Sequence, residues 1–362
     1  MRAPRSLSVE LTAECNLRCR YCYFFSNPAV SYHDLPTEEW LTFFAELGSI
    51  GVMDVTLAGG EPFLRADLPA LIEGVVANRM RFSLLSNGGL VDDGIAGLIA
   101  RTGRCDHVQI SLDGPGPEAH DAVRGRGAFE GAVRGIRTLQ RHGVRVAVRV
   151  TLHRGNVRCL PETASFLLEE LGLPAFSTNA AGYLGACQGN ARETLLTTED
   201  RQEAMEALLR LERHYPGRIS AQAGPLSEGR MWAEMERHRA RGAPRTARGG
   251  RLTACGCVFS KLAVRSDGVL VPCTMLAHLP LGRINRDRVA DVWRDHPTLA
   301  RLRERSQIPL ADFAHCDGCP YTEYCTGNCP ALAYSLTGEV DHPSPDACLR
   351  DFLAAGGHLP AV

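Results

Sequence analysis

The spacing of the cysteines constrains this chain more than any other feature of its sequence. Three of them, Cys15, Cys19 and Cys22, lie near the start with the spacing C-x3-C-x2-C. Eight more lie beyond residue 250: Cys255, Cys257, Cys273, Cys316, Cys319, Cys325, Cys329 and Cys348. Grouped cysteines in a chain without a secretory signal indicate ligation of metal or iron–sulfur clusters rather than disulfides. The other three, expected to be buried apolar thiols, are Cys105, Cys159 and Cys187.

Charge and hydropathy exclude several classes of protein. The 362 residues carry 40 basic and 41 acidic side chains, a balance that does not attract nucleic acid or an anionic membrane. No apolar run reaches the roughly 18 residues that a transmembrane helix needs. The residues before Cys15 lack the apolar core of a signal peptide. We therefore expect a cytoplasmic protein without nucleic-acid or membrane partners.

Strand-like and helix-like segments alternate over the first 180 residues or so. Strands are predicted at 6–12, 54–60, 81–89, 107–113, 144–152 and 175–180. Helices are predicted at 36–50, 67–79, 92–102, 127–142, 157–171 and 197–215. Such alternation implies a parallel sheet with right-handed crossovers. Six units favour an α/β fold of the partial (β/α)6 TIM-barrel type, with its chemistry at the carboxyl ends of the strands.

The amino-acid composition of the chain changes after the last of these helices. Residues 237–251 are rich in Arg, Gly and Ala without an apolar period, which indicates an exposed linker. We therefore divide the chain into a barrel at 1–225, a linker at 226–254 and a cysteine-rich domain at 255–362. A hairpin is predicted at 261–273, with its turn at 266–268.

The first three cysteines suit a particular kind of iron–sulfur site. A [4Fe–4S] cluster has four irons, so three thiolates leave one iron open. The amino and carboxylate groups of S-adenosylmethionine (SAM) would fill that position, and one electron would then release a 5′-deoxyadenosyl radical. The spacing alone also permits a structural zinc site or free thiols.

Two further features favour the cluster. Gly59, Gly60 and Glu61 follow the second predicted strand, where glycine allows close backbone approach and the glutamate would accept hydrogen bonds from an ammonium group. Tyr21 precedes Cys22 and would pack near an adenine.

The segments CNLRCRYC and AGGEP together resemble the radical SAM superfamily. The resemblance implies that SAM is also contacted by Asn87, Ser111 and Arg124, which follow the third and fourth strands. Taken singly, a turn asparagine or an exposed arginine is as well explained by structure alone.

The later cysteines resemble the SPASM extension of radical SAM enzymes. Eight thiolates suffice for two [4Fe–4S] clusters, although spacing also permits two four-cysteine zinc sites. By the resemblance, one auxiliary cluster is bound by Cys255, Cys257, Cys273 and Cys329. The other is bound by Cys316, Cys319, Cys325 and Cys348. Their expected work is electron transfer.

The SPASM resemblance implies modification of a peptide. The block CTGNCPALAYSLTGEVDHPSPDACLRDF is similar to SPASM proteins of the SynChlorMet peptide-modification cassettes. We therefore expect hydrogen abstraction from a ribosomally made precursor peptide, followed by a C–C or thioether cross-link. Sulfatase-maturing relatives carry an Asp base directly after the cysteine equivalent to Cys273, where this chain has Thr274.

The resemblance also implies partners. A flavodoxin or ferredoxin-type protein is expected to supply electrons. Because Cys15 stands so early, we expect a precursor's leader to be presented by a separate binding protein or bound directly by this chain. The alternatives are radical modification of a small molecule, such as a tetrapyrrole or a sugar, and a non-catalytic electron-transfer role. The sequence assigns no catalytic acid or base, and a structural role is expected for His153, Tyr183 and Asp267.

Overall fold

The computed structural model describes residues 3–27, 33–242 and 249–359. Ten strands form a single sheet: β1 (Ser6–Thr12), β2 (Asp54–Gly59), β3 (Arg81–Ser86), β4 (Cys105–Ser111), β5 (Val146–Leu152), β6 (Phe176–Ala180), β7 (Ile219–Ala221), β8 (Lys261–Val264), β9 (Val269–Val271) and β10 (Gly282–Arg283). Their order is β10-β9-β8-β1-β2-β3-β4-β5-β6-β7. Neighbours from β8 through β1 to β7 are parallel, while β9 and β10 are antiparallel.

The helices of the barrel region follow the strands in turn. They are α1 (Thr37–Ser49), α2 (Leu68–Ala77), α3 (Asp93–Thr102), α4 (Pro117–Arg124), α5 (Ala128–Arg141), α6 (Leu160–Ser165), α7 (Ala186–Gly189), α8 (Ala191–Thr194), α9 (Thr198–His214) and α10 (Pro225–Ala240). A π-helical turn, Phe166–Glu170, extends α6. The cysteine-rich part adds α11 (Cys257–Ser260), α12 (Val289–Asp295), α13 (Pro297–Glu304), α14 (Pro330–Thr337) and α15 (Leu349–Ala354). No described helix is both long and apolar enough to cross a membrane.

One face of the sheet is apolar and packs against the helices. Val9, Leu57, Leu84, Ile110 and Val148 are each no more than 1% exposed and belong to one large core. Side chains alternate across a strand, so their neighbours in sequence point to the opposite, concave face. The predicted partial barrel with a C-terminal cysteine-rich domain is confirmed.

The predicted linker needs correction. Helix α10 occupies residues 225–240, and its side chains Leu226, Trp232 and Met235 are buried against the core. Apolar residues three or four positions apart place one stripe of the helix inward, while its other positions carry both basic and acidic residues. Of the Arg-rich interval, residues 243–248 lie outside the described residues.

The predicted hairpin forms, but its first strand does more than pair with its partner. Strand β8 lies parallel to β1, with Ser6 opposite Lys261 and Val9 opposite Val264. The cysteine-rich part therefore continues the barrel sheet rather than forming a wholly separate layer.

Candidate active site

The three early cysteines lie together on the loop after β1. The thiols of Cys15, Cys19 and Cys22 interact electrostatically with one another. The backbone N–H of Leu17 donates to Sγ of Cys15 at 3.4 Å. Burial raises the pKa of Cys19 to about 11, opposed by the guanidinium of Arg124. Three soft thiol donors on one short loop fit a [4Fe–4S] cluster.

The glycines after β2 hold their backbone against this loop. Gly60 N donates to Thr12 O at 2.8 Å, and Glu61 N donates to Glu14 O at 2.7 Å. A Cβ atom at Gly60 would lie within 3.0 Å of the Glu14 carbonyl, and one at Gly59 would meet Thr12 in the same way. Both positions therefore require glycine for close approach, as the sequence predicted.

Glu61 connects the turn after β2 to the turn after β3. Its carboxylate is fully buried and accepts hydrogen bonds from Ser86 Oγ at 2.9 Å and from Asn87 N at 2.8 Å. Burial raises the pKa of Glu61 to about 7, and these donors oppose the shift. Asn87 Nδ2 donates in turn to Asn16 Oδ1 on the cysteine loop at 2.8 Å. A contact from Glu61 or Asn87 to SAM remains a prediction.

A buried ion pair at the end of β4 connects two other predicted site residues. Arg124, on α4, donates from Nε to Asp113 Oδ2 at 2.6 Å and from Nη2 to Asp113 Oδ1 at 3.3 Å. The hydroxyl of Tyr21 donates to the same carboxylate. Arg124 Nη1 also lies 3.9 Å from Cys19 Sγ. Asp113 thus fixes Tyr21 and Arg124 beside the cysteine loop.

Sequence analysis assigned no role to Asp113, yet this residue is the centre of a larger hydrogen-bond network. Burial opposes ionisation, but Arg124 and the other donors hold the pKa of Asp113 below its usual value. Its carboxylate accepts from Thr151 N at 2.9 Å, and its backbone N–H donates to His120 Nδ1 at 3.0 Å. Asn156 Nδ2 donates to Asp113 O at 2.8 Å. The SLDG turn was its only sequence signal.

His153 follows β5 and is fully buried. Its ring stacks on that of Tyr21, with centroids 5.7 Å apart, and its Nδ1 accepts from Gly155 N at 3.1 Å. Among the described residues, Nε2 of His153 has no hydrogen-bond partner. The predicted structural role therefore explains the hydrogen bond at Nδ1 and does not explain the burial of Nε2.

The segment after β6 supports the cysteine loop from the other side. Ala186 N donates to Cys22 O at 2.8 Å, and Asn190 Nδ2 donates to Arg20 O at 3.1 Å. Gly185 has a φ of 55°, and a Cβ there would lie within 3.0 Å of the Cys22 carbonyl. Sequence analysis did not identify this support, because the contact joins distant segments.

Polar side chains line the concave face of the sheet at the level of Ser111. Ser111 on β4 is opposite Arg149 on β5, and Arg149 is opposite Ser177 on β6. All three are half-buried. Arg149 Nε donates to Gln109 Oε1 at 3.0 Å. Ser111, a predicted SAM contact, thus belongs to a polar interior suited to a polar substrate.

A buried acid lies at the other side of this interior, on β1. Glu10 is 2% exposed and accepts a hydrogen bond from Tyr23 Oη at 3.4 Å. Burial raises the pKa of Glu10 to about 8, while Tyr23 and Arg265 oppose the shift. Tyr23 also hydrogen-bonds Thr274 of the cysteine-rich part. This contact joins the two cysteine regions.

The later cysteines form the two predicted sets. Hydrogen bonds and electrostatic interactions bring together Cys255, Cys257, Cys273 and Cys329. One cavity is lined by Cys316, Cys319, Cys325 and Cys348. Four thiols in each set fit a fully ligated [4Fe–4S] cluster.

The three scattered cysteines have other surroundings. Cys187 is buried, with Sγ 3.2 Å from Thr194 Oγ1. Cys159 bonds to Asn156 O at 3.3 Å, and Cys105 is half-buried at the start of β4. The burial that the sequence predicts for all three is thus confirmed for Cys187 and wrong for Cys105 and Cys159, which are half-buried.

Comparison with protein families decides the identity. Residues 9–167 match the radical SAM superfamily, and residues 255–329 match SPASM, an iron–sulfur cluster-binding domain. The chain is a radical SAM enzyme with a SPASM domain. These two domains imply SAM and [4Fe–4S] clusters as its cofactors, in agreement with the expectation from the cysteine motifs and the resemblance.

Similar proteins differ in what they act on. The chain is 28% identical to the Fe-coproporphyrin III synthase of Methanosarcina barkeri, over 93% of this chain and 86% of that protein. It is 26% identical to the PqqA peptide cyclase of Granulibacter bethesdensis, over 96% of this chain and 87% of that protein.

The solved structures confirm the fold. SuiB of Streptococcus suis, bound to its precursor peptide SuiA, has a TM-score of 0.71 at 16% identity, covering 96% of this chain and 76% of that one. SuiB has also been solved with S-adenosylmethionine. At this identity the similarity concerns the fold alone.

Proposed function

We propose that this enzyme abstracts hydrogen from a ribosomally made precursor peptide and installs a cross-link, either C–C or thioether. The observation that carries the proposal is its similarity, along nearly the whole chain, to a peptide cyclase. The edges of the sheet also support it. The sheet ends in edge strands β7 and β10, and an edge strand offers backbone groups to an extended peptide.

The residues on the cysteine loop and around it would hold SAM. Cys15, Cys19 and Cys22 would ligate the cluster. Asp113 holds the guanidinium of Arg124 and the hydroxyl of Tyr21 beside this loop. Ser111 lies on the adjoining polar face. The remaining predicted SAM contacts are Gly59, Gly60, Glu61 and Asn87.

When bound, the first cluster would supply the electron that cleaves SAM to a 5′-deoxyadenosyl radical, and an auxiliary cluster would accept the electron that the product gives up. The eight later cysteines would hold two auxiliary clusters, one of them beside Thr274. A cross-link then removes two hydrogens from the peptide, one as an atom taken by the adenosyl radical and one as a proton. A flavodoxin or ferredoxin-type protein would be the electron donor.

The test is mass spectrometry of a precursor peptide encoded beside the gene, incubated anaerobically with SAM and reductant. Loss of two hydrogens, dependent on Cys15, Cys19 and Cys22, is the expected result. Formation of methionine and 5′-deoxyadenosine with an unchanged peptide mass would contradict a peptide substrate.

A second candidate is modification of a tetrapyrrole, favoured by similarity to Fe-coproporphyrin III synthase. Coproporphyrin III and its iron complex form the second arm of the same experiment. A mass change in either, with none in the peptide, would favour this candidate.

A further inference from the structure

Arg149 is a cation in the barrel interior that has no acidic partner among the described residues. Its neighbours Val148 and Val150 are buried in the apolar core, so the Arg149 side chain belongs to the concave face. Among the described residues, its one side-chain hydrogen bond is from Nε to Gln109 Oε1, at 3.0 Å. Both terminal nitrogens, with four N–H donors, have no hydrogen-bond partner in the part of the chain that the structure describes.

Other buried or half-buried arginines have partners for their terminal nitrogens: some pair with carboxylates, and others, such as Arg218 and Arg303, donate to backbone carbonyls. Arg124 pairs with Asp113, Arg201 pairs with Glu228, and Arg65 pairs with an aspartate on its own turn. Arg149 forms no such pair with a described residue. Burial lowers the pKa of Arg149, and no nearby charge offsets that shift. A half-buried cation without a counterion is unfavourable, so its retention requires an explanation.

The position of Arg149 relates it to the reacting centre. It is the register partner of Ser111, and Leu112 N donates to Arg149 O at 3.1 Å. Leu112 is followed by Asp113, which holds Arg124 beside Cys19. Arg149 therefore lies on the strand next to the predicted SAM contacts, on the face open to a substrate.

We propose that Arg149 binds a carboxylate of the substrate and thereby orients the carbon from which hydrogen is taken. A guanidinium with two free terminal nitrogens matches a carboxylate in bidentate fashion. The proposal rests on the proposed function, since it concerns the substrate of that site. The carboxylate belongs either to an Asp or Glu side chain of a peptide or to a propionate of a tetrapyrrole.

Two matched pairs of probes distinguish these sources. Coproporphyrin III is compared with its tetramethyl ester, and the precursor peptide encoded beside the gene is compared with a copy in which every Asp and Glu is Asn or Gln. Binding is measured anaerobically on reconstituted enzyme by fluorescence for the porphyrins and by calorimetry for the peptides. The variants are Arg149→Gln and Arg149→Lys, with Arg145→Gln as the control, since Arg145 is exposed just before the same strand.

We expect one carboxylate-bearing probe to bind the wild type at least tenfold more tightly than its neutral counterpart. Arg149→Gln should abolish that difference, Arg149→Lys should restore part of it, and Arg145→Gln should leave it unchanged. Whichever pair shows the effect identifies the source of the carboxylate. If neither pair shows an Arg149-dependent difference, the proposal is overturned.

SAM cleavage without substrate separates this proposal from the proposed function. Arg145→Gln should form 5′-deoxyadenosine at the wild-type rate, and all three variants should contain the same iron. Absence of 5′-deoxyadenosine from the wild type would refute the radical chemistry regardless of the binding result. A selective loss of cleavage in Arg149→Gln would instead show that Arg149 serves SAM, and would overturn carboxylate binding as its role.

Discussion

At the scale of single residues, Gly60 determines how closely β2 approaches the cysteine loop. A side chain there would clash with the Glu14 carbonyl, one residue before Cys15. We predict that Gly60→Ala displaces the loop, so that the iron content falls by about four atoms per chain, one cluster's worth, and SAM cleavage is lost. The measurement is iron and sulfide analysis after anaerobic reconstitution.

Gly189 provides the control for this substitution. It lies at the end of α7, and a Cβ there would meet nothing within 4 Å. Gly189→Ala should therefore retain full iron and cleavage activity. Equal iron in both variants would show that the close approach at Gly60 is not required for the cluster.

The buried carboxyl group of Glu10 should make the free energy of unfolding depend on pH. Burial raises its folded pKa to about 8, whereas an unfolded glutamate titrates near pH 4.3. The folded state therefore keeps a proton that the unfolded state loses, and the stabilising contribution falls as pH rises from about 4 to about 8. Glu10→Gln should gain stability relative to wild type over this range, by up to about 1.4 kcal/mol per pH unit.

Thermal unfolding of the reconstituted proteins at pH 5.5, 6.5 and 7.5 checks this prediction. The exposed Glu118→Gln variant on α4 is the control and should follow the wild type. Parallel curves for wild type and Glu10→Gln would mean that Glu10 is ionised in the folded protein.

A residue's role could be predicted from the sequence when its partners lie close to it along the chain or belong to a known motif. The cysteine sets were predictable because spacing and resemblance identify ligands without coordinates. The role of Asp113 was not, because its partner Tyr21 is 92 positions away in sequence. Arg149 was missed for a related reason: only the register of β4 and β5 shows that it lies beside Ser111.

At the scale of elements, alternating patterns predicted the strands and helices of the barrel well. In the barrel region the structure adds α4, α7, α8, β7 and α10, which sequence analysis missed. Helix α4 is short and polar, and β7 has three residues, so neither has a strong periodicity. The charged residues of helix α10 made its periodic apolar residues difficult to recognise in the sequence. The parallel pairing of β8 with β1 joins segments about 250 residues apart, beyond any local signal.

A largely buried ion triad, in which Asp346 is the most exposed member, joins elements of the two cysteine regions. Arg201 on α9 pairs with Glu228 on α10, and its Nη2 lies 3.2 Å from Asp346 Oδ1, in the 3-10 turn Pro345–Ala347 that precedes α15. Because removing the cation leaves two acids without compensation, we predict that Arg201→Gln destabilises the protein by about 3–5 kcal/mol. Chemical unfolding measures the effect.

Arg210 on the same helix is the matched control. Its side chain is 62% exposed, and its pair with Glu206 is 3.8 Å long. Arg210→Gln should change stability by no more than about 0.5 kcal/mol. Similar effects of both substitutions would show that the triad does not hold these elements together.

At the scale of the whole molecule, one sheet connects the SAM-cleaving region to the SPASM domain. Strand β8 extends the barrel beside β1, and Tyr23 contacts Thr274 across the junction. The two later cysteine sets thus lie on a scaffold continuous with the first. We expect each of the three cysteine sets to hold one cluster on this shared scaffold.

The central claim is that the chain holds three [4Fe–4S] clusters, of which only the first cleaves SAM. The most direct measurement counts iron and 5′-deoxyadenosine in the reconstituted wild type and in the Cys15/Cys19/Cys22→Ala triple variant, each with dithionite and SAM. We predict about twelve irons in the wild type, about eight in the variant, and nucleoside from the wild type alone. About four irons together with bound zinc in the wild type, or nucleoside from the variant, would contradict the claim.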